Sequence, residues 1–146
     1  MSFIYAMSDI HGCLYELESA LTLVDLSGDN MLIFLGDYIH GGPDDYGVLE
    51  KIIGLQRKHG QDKVIALLGN HEEMAIDGRW PIGGIGNEEY YNHEEETDKY
   101  INWMMTLPRY YATEHQIFVH AGIDEEAEDM WEWGTSDYIY TEKYPA

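Results

Sequence analysis

The chain is poor in cysteine, in basic residues and in long apolar runs. Cys13 is the only cysteine among 146 residues. No disulfide within the chain can hold the fold, and a reducing cytoplasm is the expected setting. The longest apolar runs, such as 31–35 and 64–68, reach about five residues, far short of the roughly 20 that a membrane helix needs. The opening residues show no basic flank ahead of a long apolar stretch, so a secretory signal is not expected. Basic side chains are scarce: eight Lys and Arg face 28 Asp and Glu, for a formal net charge of −20. Such a surface repels nucleic-acid backbone and anionic membrane, and neither is an expected partner. It also repels an anionic phosphate substrate unless a strong positive charge waits in the site, and bound divalent metals are the natural source.

What is present reads as one globular domain spanning residues 1–146. Apolar residues make up 45% and charged residues 25%, ordinary proportions for a folded protein. A chain of this length can bury roughly 68–70% of its unfolded surface. No internal repeat or low-complexity linker breaks it, and a composition shift near Asp124 is the sole candidate boundary.

The first two-thirds alternate regularly. Residues 3–7 are strand formers, and Leu14, Leu17, Leu21 and Val24 then recur at helical spacing. After a turn around Gly28, residues 31–35 read as a buried strand. Residues 46–58 read as a helix with Leu49, Ile52, Ile53 and Gln56 on one side, and residues 64–68 as a third strand. The order βαβαβ predicts parallel strands joined by right-handed crossovers. Beyond it come a loop over 78–86, a helix over 94–107 burying Tyr100, Ile101, Met104 and Met105, and a fourth strand over 116–119. An acidic stretch over 124–132 and an aromatic tail close the chain.

Each expected strand ends in a burst of metal-ligand types. These are Ser8-Asp9-Ile10-His11-Gly12, Gly36-Asp37-Tyr38-Ile39-His40-Gly41-Gly42, Gly69-Asn70-His71-Glu72 and His120-Ala121-Gly122. Ligands of open α/β sheets bind beyond the carboxyl ends of the strands, so the four bursts are expected on one rim. Asp, His and Asn suit catalytic divalent ions, imidazole favouring Zn or Fe and carboxylate tolerating Mn or Mg. Singly each burst has a plain structural reading. Gly-Asp after a strand makes a turn, Asn70 can cap a helix, and Glu72 with Glu73 suits the positive end of a helix dipole. Four in order, each directly after a strand, point to a site.

With these motifs the chain resembles the calcineurin-like metallophosphoesterases, most closely the serine/threonine phosphoprotein phosphatase branch in its small bacterial and phage form. The resemblance runs from Asp9 to Gly122. It implies an α/β fold, a β-sandwich flanked by helices, with the βαβαβ core present and the second sheet incomplete. It implies two divalent metals, manganese foremost, with iron, zinc and nickel accepted by the same ligands. Asp9 and His11 would hold the first metal, Asp37 would bridge both, and Asn70 and His120 would hold the second. A bridging carboxylate fixes two ions ~3.5–4 Å apart and acidifies a water between them for in-line attack. His71 would stand beside the leaving group as general acid, a role typically worth about 10²–10⁴-fold. The candidate catalytic set is therefore His71, Asp37 and His40, and the candidate substrate-binding set is Asn70, Arg79 and His40.

The chain departs from the branch in two places. The branch's second motif reads Gly-Asp-x-x-Asp-Arg-Gly, but His40 stands here for the acid that supports the general-acid histidine and Gly41 for the phosphate-gripping arginine. Glycine offers no bidentate fork for phosphate. Arg79 is the expected replacement cation, whereas Arg109 reads as helix-end surface. In addition, no histidine follows His120, whereas the family closes its second metal site with a later Gly-His. The expectation is a domain truncated at its C-terminus, with Met130-Trp131-Glu132-Trp133 leading into the absent part. An uncovered sheet edge would then favour self-association. The expected function is hydrolysis of phosphomonoesters, on phosphoserine or phosphothreonine protein or on small phosphoesters. The alternatives are hydrolysis of dinucleoside polyphosphates such as diadenosine tetraphosphate, and a non-catalytic relative that binds partners.

Overall fold

The computed structural model describes residues 2–83, 94–122 and 135–142. Three parallel strands make the centre: β1 (Ile4–Met7), β2 (Met31–Phe34) and β3 (Val64–Ala66), in the order β1-β2-β3. Ile4 pairs with Met31 and Met7 with Phe34, while Leu32 pairs with Val64. The expected 64–68 strand is shorter by its pairing, although Leu67 N–H still donates to Phe34 O at 2.8 Å. β2 lies between two neighbours, and Leu32, Ile33 and Phe34 are fully buried. This explains an unbroken apolar run where a one-faced strand would alternate. β1 is an edge strand among the described residues, with Phe3 and Ile4 exposed.

The crossovers are helices α1 (Leu14–Leu21) and α2 (Asp45–His59). α2 begins where Asp44 accepts the Gly47 N–H at 2.8 Å and ends at Gly60 with φ 95°. Those are an acidic N-cap and a left-handed C-terminal glycine. Its buried face is Val48, Leu49, Ile52 and Ile53, set by helical periodicity. After β3 come α3 (Asn70–Ile76) and α4 (Glu94–Met105), the latter burying Tyr100 and Met104. Met105, expected inside, is exposed.

A second, antiparallel sheet pairs β4 (Tyr110–Ala112) with β5 (Ile117–Val119). β4 was not expected. It is three residues long and only partly buried, so it carries neither a run nor a clear alternation. The fourth strand therefore does not extend the parallel sheet. The hairpin is fastened to it by Leu68 N–H donating to Pro108 O at 2.9 Å. A short helix α5 (Asp137–Glu142) follows, and Ala121 N–H donates to Tyr140 O at 2.9 Å. The acidic stretch 124–132 and the 130–133 segment lie outside the described residues. No helix among the described residues is long and apolar enough to cross a membrane.

Candidate metal centre

The loops after β1 and β2 are laced together by their backbones. Asp9 N–H donates to Gly36 O at 3.1 Å, His11 N–H to Asp37 O at 3.0 Å and Gly12 N–H to Tyr38 O at 2.8 Å. The loop after β3 closes on them because two glycines meet. A Cβ on Gly36, whose φ is 107°, would lie 2.7 Å from Gly69 Cα and 2.9 Å from His120 Nδ1. Any side chain there would push apart the loops carrying Asp37 and Asn70.

The side chains converge on one carboxylate oxygen. Asp37 Oδ2 lies 3.3 Å from His120 Nε2, 3.7 Å from His11 Nε2 and 4.0 Å from His71 Nε2. His11 Nε2 is also 3.5 Å from Asp9 Oδ1. Ligand atoms of Asp9, Asp37 and His120 fall within 4.8 Å of one another, as do those of His11, Asp37 and His71. The Asn70 carboxamide lies against the same atoms. With its nitrogen inward it sits 3.0 Å from Asp37 Oδ1, 3.1 Å from Oδ2 and 3.0 Å from His120 Nε2. Turned over, it would present its oxygen to a cation. Asn70 is thus the first residue of α3 and not its cap, a place held by Gly69.

Two imidazoles are oriented from behind. His11 Nδ1 faces Ile39 O at 3.1 Å and His120 Nδ1 faces Leu35 O at 2.8 Å. A carbonyl only accepts, so Nδ1 carries the proton in each ring and the Nε2 lone pair points into the cluster. This is the tautomer that metal-binding histidines adopt. Inward lone pairs around a carboxylate, with a carboxamide and a second carboxylate beside them, fit divalent cations. Without a cation the anions of the cluster draw positive charge onto the rings instead. Burial would depress His120, but the hydrogen bond and charge of Asp37 outweigh it and raise its pKa. Burial would raise Asp37, but His120 and the His71 N–H outweigh it and lower its pKa.

Glu72 is the residue that sequence reasoning misplaced. It is fully buried, and its carboxylate accepts Asp37 N–H at 2.7 Å, Tyr38 N–H at 2.9 Å and Gly69 N–H at 3.1 Å. It ties the loop after β2 to the start of α3, whatever it adds to a helix dipole. Burial and the charge of Asp37 push its pKa up to about 7, against the pull of those N–H groups. Its only sequence signal was its place two residues after Asn70, which a dipole role explains equally well.

His40 is buried, and both its ring nitrogens are engaged within the protein. The structure leaves neither for a substrate. Its ring stacks on Trp80 at 4.3 Å and 12°, a partner no local pattern announces. Burial, ahead of opposing hydrogen bonds and the Asp45 charge, lowers its pKa. Arg79 does not join the cluster: its Nε donates to Asp77 Oδ2 at 2.6 Å on the surface. Arg109 lies just before β4 and pairs with Glu73 of α3 at 3.5 Å, so it tethers the hairpin where helix-end surface was expected. At Gly41 a Cβ would meet only His11 Cβ at 3.9 Å, but φ is 104° and disfavours any side chain.

A family description of calcineurin-like phosphoesterases matches residues 4–144, and the chain belongs to that family. It is 30% identical over 145 residues to a symmetrical bis(5'-nucleosyl)-tetraphosphatase of Wigglesworthia glossinidia brevipalpis, covering 95% of this chain and 49% of that protein. The chain spans about half the length of the curated relatives it matches. Among solved structures, a protein serine/threonine phosphatase from Saccharomyces cerevisiae aligns with a TM-score of 0.70 at 17% identity, over 88% of this chain and 43% of that one. A putative diadenosine tetraphosphatase aligns with a TM-score of 0.63 at 20% identity, over 94% of this chain and 57% of that one. These likenesses carry the fold.

Proposed function

We propose that the chain is a metal-dependent phosphoric ester or anhydride hydrolase whose substrates are dinucleoside polyphosphates. The observation that supports hydrolysis is the gathering of His11, His71, His120 and Asn70 around Asp37 Oδ2. The substrate class rests on the 30% identity to a bis(5'-nucleosyl)-tetraphosphatase, which favours the anhydride over the phosphoprotein expected from the motifs. Asp9, His11 and Asp37 would hold one divalent cation, and Asp37, Asn70 and His120 the other, with Asp37 shared. Two such ions, once bound, polarise phosphoryl oxygens and acidify water, and they offset the repulsion of a phosphate by a chain of net charge −20. Manganese, iron, zinc and nickel all suit this donor set. His71 stands at the rim of the cluster, where its Nε2 can hold the proton that the departing oxygen takes.

The test is hydrolysis by the manganese-loaded chain of diadenosine tetraphosphate, of a phosphoserine peptide and of p-nitrophenyl phosphate. Release of two equivalents of adenosine diphosphate supports the proposal. Turnover of the peptide alone restores the phosphoprotein reading. No turnover of any of the three, with metal binding shown by titration, would leave the non-catalytic relative.

A further inference from the structure

We propose that His40 is a positioning residue that fixes the tautomer of His71, holding its proton on Nδ1 and turning a bare Nε2 toward Asp37. The argument begins with what can donate. His40 Nε2 lies 3.0 Å from Trp80 O and 3.1 Å from Pro81 O. Both are carbonyl acceptors, so this nitrogen carries a proton. A neutral imidazole has one proton, and the other nitrogen of His40 is therefore a lone pair. That lone pair sits 2.9 Å from His71 Nδ1. Two lone pairs at this distance repel, so the proton between them belongs to His71 Nδ1. The remaining nitrogen of His71, 4.0 Å from Asp37 Oδ2, is then the basic one.

The lock makes the three inward imidazoles alike. His11 is held from behind by Ile39 O, His120 by Leu35 O, and His71 by the His40 ring in place of a carbonyl. His40 is itself held firmly. Asp45 Oδ1 accepts its backbone N–H at 3.0 Å, and Asp45 Oδ2 accepts the Gly83 N–H at 2.9 Å. One buried carboxylate thus ties down both the histidine and the segment whose carbonyls fix its tautomer. Trp80 lies flat on the ring and blocks its rotation. A neutral acceptor here orients His71 without adding another anion to an acidic chain. The use of the bare Nε2 as a proton carrier rests on the hydrolase reading, but the tautomer does not.

Nitrogen NMR on the isotopically labelled full chain, free of metal and taken through a rising pH series until the imidazole nitrogen shifts no longer change, reads the lock directly. His71 is expected with a protonated Nδ1 and a bare Nε2, and His40 with the reverse. A scalar coupling between the two Nδ1 nuclei, transmitted through the hydrogen bond, is expected as well. In His40→Gly, which suits the φ of 74° at this position, His71 should move toward the Nε2–H form. In His40→Asn, whose side-chain oxygen can stand where Nδ1 stood and which tolerates positive φ, His71 should keep Nδ1–H. A wild-type His71 protonated on Nε2, a missing coupling, or an unchanged His71 in His40→Gly would each overturn the proposal. None of these readouts needs turnover, so the lock and the hydrolase reading fail separately.

Discussion

Asp9 and Asp37 occupy equivalent places and live in different worlds. Each comes two or three residues after a parallel strand, each has a left-handed backbone, with φ 56° and 59°, and each faces His11. The Asp9 side chain is 58% exposed and that of Asp37 6%. Asp9 follows the edge strand, and a neighbouring hydroxyl, Ser8 Oγ, donates to its carboxylate at 2.6 Å. Asp37 follows the central strand. Its backbone N–H is held by Glu72, and its Oδ1 by the His71 N–H at 3.1 Å. The same residue type is thus a replaceable arm in one loop and the fixed hub in the other. The sheet order decides which, because among the described residues only the middle strand has neighbours on both sides to bring partners in.

The largest expected effect in this comparison is that of Asp37→Asn. Loss of the shared anion should lower hydrolysis by more than about 10²-fold and weaken both cations, read by turnover and by metal titration. A variant that loses only one cation would break the hub reading. Next, Leu32→Ala in β2 should cost about 2–5 kcal/mol in denaturant unfolding, as for other fully buried leucines. Glu72→Gln should cost about 1–3 kcal/mol, since an amide nitrogen would face backbone N–H groups that need an acceptor. It also carries a signature in pH. With a pKa near 7 when folded and an ordinary value of 4.5, Glu72 keeps a proton that the unfolded chain has lost. The stability of the metal-free chain should therefore fall as pH rises from 4.5 to 7, and that part of the slope should vanish in Glu72→Gln. The smallest effect is expected of Asp9→Asn: about a tenfold loss for one cation, the other bound as before, and unfolding unchanged within about 0.5 kcal/mol.

The parts of the molecule legible beforehand are those with local signatures. The three parallel strands announce themselves as apolar runs because β2 and β3 are covered, and α2 shows both periodicity and end signals. The bursts after the strands are legible because their residue types are rare in simple turns. β4 escaped because Tyr110–Ala112 is short and half exposed and gains its form by pairing with β5. The expectation of a single rim explains three of the four bursts. The fourth, carrying His120, arrives from the second sheet, held by Leu68, Pro108 and Tyr140. Glu72 and Trp80 act across 35 and 40 residues of chain on Asp37 and His40, and no window of sequence contains both members of either pair. Arg79 has the charge to grip a phosphate and lies downstream of the third motif, but the carboxylate of Asp77 claims it.

The non-glycine residues with positive φ among the described residues are Asp9, His11, Asp37 and His40. Outside glycine, such backbones are tolerated chiefly by Asp, Asn and His. An alanine scan of this protein would therefore misjudge the centre, because at each of these positions alanine removes a donor and also opposes the turn. Glycine substitutions would keep the loop path and delete only the chemistry. The gap between the two scans would measure how far each position was chosen for its bend and how far for its lone pairs.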